Sequence, residues 1–158
     1  MDFQSYRSQL MHGDFSALES AHGLVTAWLD DGAFKDDQDA IDEALSCAAF
    51  NGQTELVSLL RAHGAQVDGG QATGMTGLHW ASNRGHLHTV RALVDAGADM
   101  EALNNYGGTV LGCTVWCLLN QPMPGQIDVV RYLVSAGADR SKAGYPTGND
   151  QLDGILAP

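Results

Sequence analysis

The chain has 158 residues, with 19 acidic against 8 basic side chains and a net charge of −11. That length fits one domain, and that charge argues against a nucleic-acid partner, whose phosphates demand a basic surface. Three cysteines in no paired pattern argue against a disulfide framework; no apolar run approaches membrane-spanning length, and Met1-Asp2-Phe3-Gln4 does not open like a signal peptide, so the expected compartment is the cytoplasm.

In chain order, residues 3–11 and 15–21 read as helical, split at His12 and Gly13. The run 24–29 followed by Gly32 and Ala33 mirrors 56–60 followed by Gly64 and Ala65, which predicts a degenerate second helix ending at Asp31. Residues 1–37 are therefore expected to form a helical cap with one diverged repeat. Next comes a phrase written three times. Leu45, Ala48 and Gly52 lead to Leu56, Leu60 and Gly64-Ala65; 33 positions on, Leu78, Ala81 and Gly85 lead to Val90, Leu93 and Gly97-Ala98-Asp99. The third copy has Thr109 and Leu111, then Val129, Leu133 and Gly137-Ala138-Asp139. A fixed period near 33 marks a solenoid, whose units bury their apolar faces against one another. The repeats are expected at 38–70, 71–103 and 104–143.

The central copy shows how one unit folds. Residues 76–84 predict a short helix with Thr76 as N-cap and Leu78 and Ala81 on one face. Gly85 breaks it. Residues 86–96 predict a second helix with Val90, Leu93 and Val94 as its buried stripe, and Gly97 suits a left-handed C-cap. Turn chemistry follows at Asn104-Asn105-Tyr106-Gly107-Gly108.

Spacing exposes an insertion in the third copy. Gly85 to Gly97 is twelve residues, as is Gly125 to Gly137, but Leu78 to Gly85 is seven where Leu111 to Gly125 is fourteen. Seven extra residues fall around 117–124, where Pro122 and Pro124 block helix continuation. The expectation is an overlong first helix and a projecting loop, either tolerated surface or a partner contact. Beyond it, residues 140–158 show no full helical pair. Gly144, Pro146 and Gly148 predict an irregular tail at 144–158, with Leu152, Ile155 and Leu156 folding over the last repeat.

The middle copy resembles the ankyrin repeat. Thr76-Gly77-Leu78-His79-Trp80-Ala81 matches the Thr-Pro-Leu-His-x-Ala hallmark with Gly77 in place of Pro, and Gly85-His86 and Gly97-Ala98-Asp99 occupy further family positions. The first copy has Glu43-Ala44-Leu45-Ser46 there and the third Thr109-Val110-Leu111-Gly112, so the first copy's turn network is expected to be weaker. The resemblance covers residues 42–139. It implies an all-α, helix-turn-helix solenoid of three to four repeats with capping elements. It also gives His79 and His86 a structural role in orienting turns.

Such folds line a concave groove with first helices and hairpin tips, so the repeat columns become candidate contacts. Cys47, Trp80 and Cys113 share one column; Phe50, Asn83 and Trp116 the next of interest; Asn51, Arg84 and Cys117 the one beside it. Trp80 is placed between core and groove. Phe50, Asn51, Asn83, Arg84 and Trp116, with Asn105 and Tyr106 at the hairpin tip, complete the expected partner-binding set, since aromatics and Arg dominate binding hot spots.

Charge is uneven. Residues 1–70 hold 12 acids and 3 bases, a net of −9; residues 71–158 hold 7 and 5, a net of −2. The densest cluster is Asp30, Asp31, Asp36, Asp37, Asp39, Asp42 and Glu43, relieved by Lys35. It reads either as a solvated face or, through Asp30, Asp31, Asp36, Asp37 and Asp39, as a patch that steers a basic partner. The spacing lacks the ligand order and Gly of a calcium loop.

Catalytic chemistry has no foothold: there is no phosphate-binding Gly-Lys-Ser/Thr loop, no nucleophile elbow and no zinc pair among the histidines. Cys47 and Cys113 lie two repeats apart, too far to bridge, and read as small buried hydrophobes; Cys113 and Cys117 share a helix face and could hold half a metal site. The expected function is a non-catalytic module, without cofactor, binding one basic protein, as an inhibitor or immunity-type protein would. The alternative is a ligand- or metal-responsive regulator using Cys113, Cys117 and nearby histidines.

Overall fold

The computed structural model describes residues 1–70 and 72–158; Gln71, where the second repeat is expected to begin, lies outside the described residues. The described residues hold nine α-helices: α1 (Phe3–Met11), α2 (His22–Asp30), α3 (Gln38–Phe50), α4 (Thr54–Ala62), α5 (Gly77–Asn83), α6 (Leu87–Asp95), α7 (Val110–Asn120), α8 (Gln126–Ala136) and α9 (Asp150–Leu156). Short 3₁₀ turns sit at Ser16–Ala21 and Arg140–Lys142.

Two layers result. First helices α3, α5 and α7 pack in series, and second helices α4, α6 and α8 form the row behind them. The period of the sequence explains the core between the rows. Leu45, Leu78 and Leu111 are buried at equivalent places in the first helices, and Leu60, Leu93 and Leu133 in the second. Each short helix lacks the length to be stable alone, so this shared apolar seam holds it.

Caps close the seam at both ends. The N-terminal cap sets α1 and the 3₁₀ turn on α3 and α2 on α4. Its interior is aromatic: Phe3 meets Trp28 and Phe34 edge-on at 5.7 and 4.9 Å, and Tyr6 lies 5.0 Å from Trp28. At the other end the expected irregular tail is corrected. Asn149 caps α9 by accepting from the Gln151 and Leu152 N–H groups, and α9 packs on α8 with Leu152 and Leu156 fully buried. Two apolar residues one turn apart and a good N-cap suffice to form this helix despite Gly154.

The first repeat departs from the second in a way that corrects the expectation of a merely weaker turn. Asp37 caps α3 through the Ala40 N–H, and the helix then runs unbroken past Glu43 and Ala44, where the turn would lie. Glu43 stands in the Thr76 column and accepts the Ala72 N–H at 2.5 Å. Ser46 stands in the His79 column and donates to Gly70 O at 3.0 Å. Asp42 accepts from Gln66 N–H and from Gln38 Nε2. Two acids of the cluster are thus buried tethers of the following loop, and burial raises the Glu43 carboxyl above the ordinary range.

The third repeat carries its insertion as four extra helical residues, α7 having 11 residues against 7 in α5, followed by a loop over 121–124. Gly125 restarts the register at φ 84° and abuts the Gly85 turn so closely that a Cβ at Gly85 would lie 2.1 Å from Pro124 O. Only glycine fits both positions. Gly112, where the middle repeat has His79, is also explained by space: a Cβ there would lie 2.7 Å from Lys142 O, part of the C-terminal 3₁₀ turn laid against α7.

Candidate functional site

The first-helix row leaves a groove of about 730 Å³ on its outer face, within the range of ligand sites. Its floor is α5 and the end of α3. Trp80 meets Phe50 edge-on at 5.2 Å and Phe15 of the N-terminal cap at 5.8 Å, while Phe15 and Phe50 are 5.9 Å apart. The Trp80 indole donates to Thr73 Oγ1 at 3.2 Å, which fixes the ring. Trp80 is therefore half core and half groove. One wall is the hairpin, through Met75, Asn104 and Tyr106. The other is α7 and the insertion, through Cys113, Cys117, Trp116, Gln121 and Met123.

The hairpin is held from below. Thr76 Oγ1 accepts the His79 N–H and donates to Nδ1 at 2.9 Å, and Nε2–H donates to Gly108 O at 3.4 Å. Burial disfavours the charged ring and lowers the His79 pKa, against the Gly108 hydrogen bond, which raises it. Asn104 Oδ1 accepts from Tyr106 and Gly108 N–H, which presents the Tyr106 ring at the tip, 96% exposed. His86 donates to Phe50 O at 3.0 Å, joining the floor to the next turn, and burial lowers its pKa too.

Of the expected contact residues, Phe50, Trp80, Asn83, Arg84, Tyr106 and Trp116 converge on this groove. Phe50 is less free than expected, being half-buried beneath Phe15. Asn83 is buried: its amide donates to Cys113 Sγ at 3.3 Å and accepts from Thr114 Oγ1, while its backbone carbonyl receives Gln126 Nε2 at 2.6 Å. Asn51 turns away, donating to Phe15 O and Cys47 O, and Asn105 bonds Gly74 O through its backbone outside the groove. Trp116 is 57% exposed; the insertion does not cover it.

The cysteines divide. Cys47 is buried, and burial pushes its thiol up to about 12. Cys113 is not a core residue as expected; it and Cys117 line the groove wall, with Cys117 pushed by burial up to about 11. Among the described residues no three His, Cys, Asp or Glu side chains come together as metal ligands would, and His79 is occupied by Thr76 and Gly108. Met75, Asn104, Gln121 and Met123 were not expected. Met75 and Asn104 flank motif residues, whereas Gln121 and Met123 lie in the insertion, outside the period.

The acidic cluster lies apart, and no member of it lines the groove. Asp30, Asp31, Asp36 and Asp39 are exposed. Asp37 is instead engaged: Arg7 Nε donates to it at 2.5 Å, and this guanidinium, with the Ala40 N–H, holds its pKa below the usual carboxylate range.

The model for ankyrin repeats, in three copies, matches residues 16–104 and 45–143. This chain belongs to the ankyrin repeat family. Among its relatives, the B-cell lymphoma 3 protein homolog of Mus musculus is 40% identical over 80 residues, 48% of this chain and 18% of the relative. Protein phosphatase 1 regulatory subunit 27 of Mus musculus is 36% identical over 84 residues, 53% of this chain and 50% of the relative. Ankyrin repeat and KH domain-containing protein 1 of Homo sapiens is 42% identical over 59 residues, 37% of this chain and 2% of that protein. The ankyrin chain thus spans at most half the length of these relatives. No helix of the described residues is long and apolar enough to cross a membrane.

Proposed function

We propose that this ankyrin chain is a non-catalytic protein-binding module that seats its partner in the groove between the hairpin tips and α7. The observation that carries the reading is the pair of exposed rings, Tyr106 and Trp116, on opposite walls of an apolar groove. Exposed aromatics beside a ready-made hollow have the character of hot-spot residues. One relative is named as a phosphatase regulatory subunit, which supports a regulatory or inhibitory role for a bound module. The exposed acids Asp30, Asp31, Asp36 and Asp39 favour a partner with a basic surface, steering its approach from outside the groove.

Quantitative affinity capture from the source cell tests this. A protein held by the wild type should be lost from Trp116→Ala and Tyr106→Ala, each weakening the complex by about 2 kcal/mol, with melting temperatures unchanged. Equal capture by all three chains would place the binding surface elsewhere.

A further inference from the structure

The groove lining contains one charged side chain among the described residues, Arg84, at the end of α5. Its guanidinium lies over the Phe50 ring, Cζ 4.6 Å from the centroid. Its Nε is buried and has no hydrogen-bond partner, and among the described residues no carboxylate pairs with it. This is unusual in a chain of net charge −11, where acids outnumber bases by more than two to one. Arg7, by contrast, has found Asp37 across thirty positions of sequence.

A buried N–H without a partner is costly in isolation, and a guanidinium presents a planar fork that fits a carboxylate with two parallel hydrogen bonds. The surrounding Phe50, Trp80, Trp116, Met75 and Met123 lower the local dielectric, so such a pair is stronger here than on open surface. They also offer an apolar bed beside the charge. Resting on the groove reading above, we propose that the groove binds an internal partner segment carrying an Asp or Glu next to a bulky apolar residue, with the carboxylate on Arg84 and the apolar side chain between Trp80 and Trp116. Tyr106 and Trp116 stand exposed on opposite walls, so a segment lying between them can be gripped along its side chains rather than by an end. The partner's basic surface and its acidic contact segment then meet different faces of this chain: the exposed acids outside, Arg84 within.

The test is selection of random linear dodecapeptides, displayed with both ends embedded in a carrier, on the full chain. The expected winners carry Asp or Glu within two positions of Trp, Phe, Leu or Met. A winner synthesised with acetylated and amidated ends should lose about tenfold or more in affinity when its acid becomes the amide, and by a similar factor on Arg84→Gln. The two changes together should cost no more than either alone. Selection on Arg84→Glu should enrich Lys and Arg instead. Winners that compete at the groove, as shown by sensitivity to Trp116→Ala, yet ignore both the amide change and Arg84→Gln would overturn the carboxylate proposal while leaving the groove reading standing. Winners insensitive to Trp116→Ala would sink the groove reading itself. A requirement for a free peptide C-terminus, or no enrichment at all, also overturns the proposal.

Discussion

Phe50 and Trp116 occupy equivalent positions in α3 and α7, with Asn83 between them in the same column, and their surroundings are opposite. Phe50 is roofed by Phe15 from the N-terminal cap, at 5.9 Å, and by the Arg84 guanidinium. Trp116 has no such roof, because the C-terminal cap covers the foot of α7 and the back of α8 instead. The repeat fixes where an aromatic points; the cap at that end of the solenoid decides whether it becomes core or contact. One groove therefore has a structural half and an open half, and substitutions should separate them.

The largest separation is expected between Phe15→Ala and Trp116→Ala. Phe15 is fully buried, so truncation should cost about 3–5 kcal/mol, while Trp116→Ala should stay within about 0.5 kcal/mol of wild type in urea unfolding. Leu93→Ala, in the shared seam, gives the reference at roughly 2–5 kcal/mol. Comparable losses at Phe15 and Trp116 would mean that the open half is as much core as the closed one.

Next in size is Asp37, which divides the acidic cluster as Phe15 divides the groove. Asp37→Ala removes a helix cap and the Arg7 partner, and should cost about 0.5–2 kcal/mol; Asp36→Asn, at an exposed site, should cost nothing measurable. The Asp37 contribution is present above the ordinary carboxylate range and is lost as pH falls through its lowered folded pKa. An acid titration of stability that is identical for both variants would break the distinction.

The histidines holding the groove's hairpin and floor give a smaller, pH-dependent effect. Burial lowers the His79 and His86 pKa values in the fold, so the unfolded chain binds protons more readily. Stability is then fully present above about pH 6.5, the ordinary histidine value, and falls as pH drops through the lowered folded values. His79→Gln should flatten part of that slope between about pH 7 and 5; an unchanged slope would show that burial of the His79 ring contributes nothing to it.

The period made the buried leucines, the paired helices and most of the groove legible, because columns 33 residues apart fall on one face. It could not reveal Phe15 over Phe50, or Arg7 on Asp37, since these join the cap to the repeats across no fixed spacing. Nor could composition show that Asp42 and Glu43 lie inside, holding backbone N–H groups of the next loop. The tail read as irregular because Gly144, Pro146 and Gly148 break any helical run at its start, yet the Asn149 cap and the buried Leu152 and Leu156 set a helix just beyond them. Cys113 read as core from its residue type, and its column could not correct that, since it holds the buried Cys47 as well as the half-buried Trp80.

The finest prediction concerns the loop that builds the open wall. Residues 120–122 lie outside the repeat register, and Gln121 and Pro122 are exposed, so deleting these three should cost less than about 1 kcal/mol, as shortening a loop does. Met123 differs. Its N–H donates to Gln126 Oε1 at 2.8 Å, and Gln126 is buried with its Nε2 on Asn83 O. Extending the deletion through Met123 strands that buried oxygen and should add about 1–3 kcal/mol. The difference between the two deletions in urea unfolding locates where the insertion stops being a dispensable rim and becomes part of the scaffold. Equal stability of the two would move that boundary to Pro124, where the loop meets the Gly85 turn.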